Sequence, residues 1–180
     1  MTMQPFVSTP ENEIRRRFKR LAISLSDLTS AAAFASAIDS ASLYSQPHAE
    51  HNRVLIGLTT ALVVSYSRPF SKNNPGSTFA ATRSLSDAFV AKYLPNQDER
   101  DIHDKVLTLR DRQFAHSDAD VFNINIALHA GGARWRHDFV TTPLPRAEFD
   151  ALRRAIDNLT IGIHKEQDEL AKQLPANDTF

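Results

Sequence analysis

Apolar residues recur every three or four positions along most of this chain, which is the spacing of one face of an α-helix. The first pattern begins at Thr9-Pro10-Glu11, where a hydroxyl, a proline and an acid are typical of a helix start. It continues through Leu28 and the small residues 31–37. A second helix is predicted from His48 to Ser67, because the residue before Pro69 disfavours helix.

Three further segments complete the predicted helical part. A short helix is expected over Leu85–Tyr93. A longer one begins near Pro95–Glu99 and carries Ile102 and Val106 on its apolar face. The last helix opens at Pro145, and its apolar residues keep helical spacing beyond Leu159.

Before the last helix, the apolar residues occur at every second position. Residues 121–128 alternate apolar side chains with asparagines, which predicts a strand. Gly131-Gly132 supplies a turn, and residues 133–140 form the return strand. The chain is therefore predicted to be mainly α, an up-and-down bundle of four to five helices with a small β-hairpin before the last helix. We expect one domain over residues 1–180, with flexible ends at about 1–9 and 175–180.

The charge balance excludes a general attraction to polyanions, because 21 basic and 21 acidic residues give a formal net charge of zero. The main basic cluster, at residues 15–20, is interpreted as a solvated helix face, with contact to RNA phosphates as the minor alternative. The absence of cysteine excludes disulfides and thiolate metal sites. The first residues lack a secretory pattern, and the apolar run at 54–64 is too short to span a bilayer. We expect a cytoplasmic protein without a membrane partner.

The side chains that could carry out catalysis lie in residues 107–118. This segment places Arg110, Arg112 and His116 near the end of the third long helix. An imidazole moves protons near neutral pH, and a guanidinium binds phosphate oxygens with a planar fork. Together these groups suit phosphodiester cleavage without a metal. In an ideal helix, however, Arg110 and His116 lie roughly 120° apart around the axis and about 9 Å apart along it. They meet on one phosphate only if the chain bends or a second subunit contributes, which favours a dimer cleft.

The sequence LRDRQFAHSD, in which Arg110, Asp111 and His116 are spaced as arginine, polar residue and histidine, resembles the signature of the HEPN superfamily. These are helical-bundle proteins named for higher eukaryotes and prokaryotes nucleotide-binding. With Arg112 as the arginine, the gap would be too short for the pattern. The Ala-His pair after the gap is similar to the AbiU2-like branch, which is linked to abortive infection and phage defence.

The resemblance implies a homodimer whose paired motifs form a metal-independent endoribonuclease site, in a toxin–antitoxin or phage-defence setting. His116 would be general acid or base, Arg110 would stabilise the phosphorane, and Asp111 would orient one of them. The implied partners are RNA, a second copy of the chain and an antitoxin, and no cofactor or metal is expected. Arg112, with Arg68 and Tyr66 from the second helix, completes the set as candidate substrate-binding residues.

Other interpretations remain open for the same residues. The second hypothesis is a non-catalytic HEPN-like module that binds nucleotide, RNA or a protein partner. A third hypothesis is a structural dimer in which Arg110 and His116 only finish a helix. Tyr66 is interpreted mainly as core packing, with a contribution to the cleft as the minor alternative. His48 and His51 are a weak metal pair, because no third ligand is evident.

Overall fold

Long helices account for most of the part of the chain that the structure describes. The computed structural model describes residues 10–71, 84–111, 123–129, 132–138 and 143–175, with the backbone alone for Glu50 and the two strands. The mainly α fold predicted from the sequence is confirmed. The helices are α1 (Pro10–Ser40), α2 (Arg53–Ser67), α3 (Asp87–Tyr93), α4 (Gln97–Leu109) and α5 (Arg146–Ala171).

A side-chain cap decides where α2 begins. The Asn52 side-chain oxygen accepts hydrogen bonds from the backbone N–H of Val54 at 2.9 Å and of Leu55 at 3.2 Å. These bonds satisfy two of the N–H groups that a helix start leaves without a partner, so α2 starts at Arg53. The prediction of a start at His48 is wrong, because His48 has a φ of 56° and interrupts the helical backbone.

The other predicted helix starts lie within two residues of the observed ones. Ser86 caps α3 by accepting the N–H of Phe89 at 3.2 Å, so the helix begins after Leu85 and not at it. Pro145 takes the cap position of α5. Its fixed φ suits the residue that leads into a helix.

Ion pairs show that α5 runs antiparallel to both α1 and α4. Arg17 near the start of α1 pairs with Glu166 near the end of α5. On α4, Lys105 near the end of the helix pairs at 2.6 Å with Glu148, in the first turn of α5. Helices α1 and α4 therefore point in the same direction.

Helix α2 runs antiparallel to α1, as its end shows. Directly after α2, a short 3-10 turn covers Arg68–Phe70. Arg20, in the first half of α1, donates a hydrogen bond of 2.6 Å to the carbonyl oxygen of Pro69 in this turn. The four long helices thus alternate in direction along the chain. Because α1 and α4 both pack on α2 and α5, they lie on opposite sides of the core.

One apolar core joins the four long helices. The predicted apolar face of α4 is confirmed at Ile102 and Val106, which are both buried. The other helices add large apolar residues to this core, and those with no exposed surface include Leu28, Ile38, Leu55, Leu62, Phe149, Leu152, Leu159 and Ile163.

Two further segments pair as antiparallel strands, β1 (Asn123–His129) and β2 (Gly132–Asp138), with Ile126 opposite Trp135. The structure describes only the backbone pairing of these strands. The predicted packing of a hairpin against the helices therefore stays a prediction, and the helices alone define the fold class.

The second part of helix α1 is rich in apolar and small residues. Together with the turn that follows, over Pro10–Ser45, the helix is long and apolar enough to cross a membrane. Its most apolar window of 18 residues has a mean hydropathy of 1.5, and 33% of that window is buried. A core helix of a soluble protein passes the same test of length and composition.

Candidate functional site

Arg110 lies at the exposed end of α4, where the predicted motif begins. Its backbone remains helical, with φ −58° and ψ −48°, directly after the last residue of the helix. Its side chain is 35% exposed and donates a hydrogen bond of 2.6 Å from Nη1 to Oδ1 of Asp111, which is 65% exposed. A guanidinium has five N–H donors in a fixed fork, so one contact with a carboxylate does not preclude binding a phosphate.

The remaining motif residues, Arg112 and His116, lie outside the described residues. The structure therefore places the arginine and the acid of the motif side by side at the surface. The meeting of Arg110 with His116 on one phosphate stays a prediction.

Tyr66, a candidate substrate-binding residue, lies in the core. It has no exposed surface, and its hydroxyl is 2.9 Å from Nδ1 of His103 on α4. Its ring also packs against the ring of Phe70, with the centroids 5.5 Å apart. Burial raises the pKa of the Tyr66 phenol well above its usual value, and the nearby carboxylates of Asp104 and Glu99 add to this effect. In this arrangement Tyr66 fills the core, which was the main interpretation of its sequence position, and it has no surface to offer a substrate.

Arg68, the other candidate from α2, lies on the surface. Its side chain is 61% exposed, and Nη1 is 3.6 Å from Oδ1 of Asp27 on α1. A pair at this distance is a weak ion pair, which leaves the guanidinium accessible to solvent. The burial of Asp27 raises the pKa of its carboxyl, against the effect of Arg68, which lowers it.

The alternating helix directions separate Arg68 from Arg110 within one chain. Arg68 follows the end of α2, whereas Arg110 follows the end of α4, and these two helices point in opposite directions. His103, which contacts Tyr66 near the end of α2, is seven residues before Arg110, or about 10 Å along the helix axis. The structure thus does not bring Arg68 into a common cleft with Arg110 in one chain.

Sequence reasoning missed a buried polar side of α4. His103 is 5% exposed and lies edge-on to Phe70, with 4.6 Å between the ring centroids. Burial lowers the pKa of His103, although the carboxylates of Asp104 and Asp87 act in the opposite direction. The His103 imidazole is buried and hydrogen-bonded to the phenol of Tyr66, so it cannot readily exchange a proton with a substrate. Its role is therefore structural.

Glu99, one turn before His103, is the second buried polar residue of α4, with 1% of its surface exposed. Its carboxylate accepts hydrogen bonds from Asn96 at 2.9 Å and from Asn158 on α5 at 3.1 Å, and Arg154 lies 3.7 Å away. These partners satisfy a charge that would otherwise be costly to bury. The sequence contained an indication of this burial. The spacing of Glu99, Ile102, His103 and Val106 puts the two polar residues on the same helix face as the two apolar ones.

A groove of about 530 Å³ lies between α4 and α5. Its apolar floor includes Ile102 and Ala151. Four acidic and two basic residues line its rim, namely Asp98, Asp101, Glu148, Asp150, Lys105 and Arg154. This negative balance does not favour a phosphate.

A metal centre finds no support in the described part of the chain. Within residues 10–71, 84–111 and 143–175, no three His, Asp or Glu side chains are grouped so as to hold an ion. His48 and His51, the weak metal pair of the sequence, are both exposed.

In comparisons with known proteins, no family model, no curated protein and no solved structure matches this chain. The resemblance of the Arg110–His116 segment to the HEPN signature therefore rests on the motif residues themselves and on the helical fold.

Proposed function

We propose that the chain is a HEPN-like, metal-independent endoribonuclease, folded as an up-and-down helical bundle with a small hairpin before the last helix. The observation that carries the proposal is the surface position of Arg110 and Asp111, in contact with each other at the end of a helix anchored in the core. Such a position allows a bulky RNA backbone to reach the guanidinium.

In the proposed reaction, the 2′-hydroxyl of one ribose attacks the adjacent phosphorus. The new 2′-O–P bond forms while the bond to the 5′-oxygen breaks, which leaves a cyclic phosphate. His116 removes the proton of the 2′-hydroxyl or delivers a proton to the leaving 5′-oxygen, and a second His116 across a homodimer would supply the other function. Arg110 stabilises the charge that develops on the phosphorane oxygens.

Asp111 has a positioning role in this proposal. Its contact with Nη1 at 2.6 Å limits the rotation of the Arg110 side chain. Loss of that contact leaves the charge of Arg110 in place but allows more side-chain conformations. Asp111→Asn should therefore cost less activity than Arg110→Ala.

The decisive experiment measures the cleavage of a fluorescent RNA by the full chain in the presence of a chelator. We expect Arg110→Ala and His116→Ala each to lower the rate by about 10²–10³-fold. Arg17→Ala, which removes an equally charged exposed side chain on α1, should keep the rate of wild type. A matched substrate with 2′-deoxyribose at the cleavage site should not be cut, because the nucleophile is missing.

Two results would contradict the proposal. One is cleavage that is lost with the chelator but not with His116→Ala, because it would show a metal-dependent reaction. The other is cleavage of the deoxyribose substrate at the rate of the RNA. In a toxin setting, expression of wild type but not of His116→Ala should arrest growth, and a co-expressed antitoxin partner should relieve the arrest.

The second candidate function is a non-catalytic HEPN-like module that binds nucleotide, RNA or a protein partner. The zero net charge and the acidic rim of the groove between α4 and α5 favour it, because neither attracts a long polyanion. This alternative predicts that the chain binds its ligand and that Arg110→Ala weakens binding. No cyclic phosphate product would accumulate with any RNA.

A further inference from the structure

An ion pair crosses each end of the groove between α4 and α5. At one end, Lys105 donates to both carboxylate oxygens of Glu148, at 2.6 and 2.7 Å. At the other end, Arg154 pairs with Asp98. Asp98 and Lys105 are seven residues apart on α4, so the two ion pairs lie about 10 Å apart along the helix axis. The space between them is long enough for a short segment of another chain.

The floor of the groove between these ion pairs is apolar. Ile102 and Ala151 form it, with 3% and 5% of their surfaces exposed. Ala147, which is exposed, also lines the groove from the first turn of α5. The volume of about 530 Å³ is in the range of sites that bind ligands, and covering an apolar surface favours binding. The floor therefore suits an apolar side chain of a partner.

The charges that line the groove favour a cationic partner. Four acidic and two basic residues line it, for a net charge of −2, and both basic residues already pair with the acids at the two ends. Asp150 pairs with Arg146, which it shares with Asp39. In the part of the chain that the structure describes, Asp101 forms no ion pair and accepts a hydrogen bond of 2.7 Å from the neutral amide of Gln97. A carboxylate without a cation therefore lies between the two end pairs.

We propose that this groove binds a segment of a partner protein in which an apolar residue stands next to an arginine or a lysine. The apolar side chain covers Ile102 and Ala151, and the cation pairs with Asp101. The alkyl stem of an arginine or lysine also packs well on an apolar floor while its charged end reaches a carboxylate. An acidic segment is repelled, and a wholly apolar segment would leave the carboxylate of Asp101 less hydrated without a partner.

The inference rests on the second candidate function, the binding module, and adds the chemistry of its protein partner. It does not require the nuclease. Arg110 is not among the residues that line the groove, and it follows Lys105 by five residues, or about 8 Å along the helix axis. A segment bound between the two end pairs therefore lies beside the proposed nuclease site and not on it.

Binding of short fluorescein-labelled peptides to the full chain, measured by fluorescence anisotropy, tests both parts of this chemistry. The first peptide alternates leucine and arginine. One counterpart has glutamine in place of arginine, and the other has serine in place of leucine. We expect the first peptide to bind at least about tenfold more tightly than either counterpart, because each counterpart lacks one of the two contacts. Equal binding of the three peptides, or no binding of the first, would overturn the proposal.

A change at Asp101 tests whether the peptide lies in this groove. Asp101→Asn removes the charge and keeps the size of an exposed side chain, and we expect it to raise the dissociation constant of the leucine–arginine peptide about tenfold. Asp157→Asn is the matched control, because Asp157 is an exposed aspartate of α5 that lines a crevice towards α1 instead. It should bind like wild type. Equal weakening in both variants would show only a general attraction to acidic residues and would contradict the proposal.

Other occupants of the groove give different results with the same variants. Displacement of the peptide by spermidine as readily as by unlabelled peptide would show a site for small cations, and self-association that Asp101→Asn abolishes would show a second copy. Either result would replace the proposed partner. Asp101→Asn should leave any RNA cleavage at the wild-type rate, and Arg110→Ala should keep peptide binding. Failure of the nuclease is thereby distinguished from failure of this proposal.

Discussion

Two helical glycines, Gly57 in α2 and Gly162 in α5, should respond in opposite ways to the same substitution. A Cβ added at the exposed Gly57 would have no atom within 4 Å. Alanine there removes the conformational entropy penalty of glycine, so Gly57→Ala should raise the free energy of unfolding by about 0.5–1 kcal/mol. A Cβ added at Gly162 would lie 2.5–2.8 Å from three ring atoms of Tyr93.

The size of the effect at Gly162 follows from how Tyr93 is held. The close atoms include Cγ, which is the ring atom nearest the backbone, so a small rotation of the ring does not relieve the overlap. The ring also packs against Phe89, with the centroids 4.7 Å apart. Such overpacking costs about 1–3 kcal/mol, against a gain in helix propensity of about 0.5–1 kcal/mol. Because both variants share that gain, their stabilities should differ by about 1–3 kcal/mol.

Urea unfolding followed by circular dichroism measures both variants against wild type, and equal m-values would show that the free energies are comparable. The Tyr93→Ala variant tests whether the ring of Tyr93 is the cause of the difference. In Tyr93→Ala the obstructing ring is absent, so adding Gly162→Ala should stabilise the protein as much as Gly57→Ala does. If Gly162→Ala stabilised the wild type to the same extent as Gly57→Ala, the packing of α3 against α5 described above would be refuted.

Two further predictions concern acid. Burial lowers the pKa of His103 in the folded state, although the carboxylates of Asp104 and Asp87 act in the opposite direction. The unfolded chain therefore binds a proton at this residue more readily than the folded chain. The free energy of unfolding should then fall as the pH drops below about 6.5, the ordinary histidine value. His103→Phe should flatten that part of a stability curve measured by urea unfolding, and an unchanged slope would contradict the assignment. At Glu166, burial is the largest single effect and raises the pKa, but the hydrogen bonds from Lys92 and Tyr93 and the charges of Arg17 and Lys92 together outweigh it, so the pKa is lowered overall. The ion pairs of Glu166 should therefore contribute fully above the ordinary glutamate value, and the contribution should be lost as the pH falls from there through the lowered folded-state pKa. Glu166→Gln should lower the thermal midpoint more at pH 7 than at pH 3, and an equal effect at both would contradict the assignment.

The helices could be predicted from the sequence because their signals are local. The start of α5 after Pro145 and the apolar face of α4 at Ile102 and Val106 depend only on residues within a few turns. The start of α2 could not be placed correctly, because the residues after His48 also fit a helical pattern. The choice was made by the Asn52 cap and by the positive φ of His48, and sequence spacing shows neither.

The candidate site could be predicted only in part, for a different reason. Arg110 and Asp111 are adjacent, so their contact follows from local geometry. The contact of Tyr66 with His103 joins residues 37 positions apart, and nothing in either local pattern indicates it. The separation of Arg68 from Arg110 likewise depends on the directions of whole helices, which single-segment reasoning does not give.

The carbonyl group of Pro69 accepts two hydrogen bonds, from Arg20 of α1 at 2.6 Å and from the backbone N–H of Leu85 at 2.9 Å. The chain therefore leaves α2 and re-enters the helical part at one anchored point. Because these two ends are held at one point, a longer segment between them would not require α2 and α3 to separate. A tag or a reporter domain inserted between these two anchored ends is therefore expected to leave the four long helices where they are.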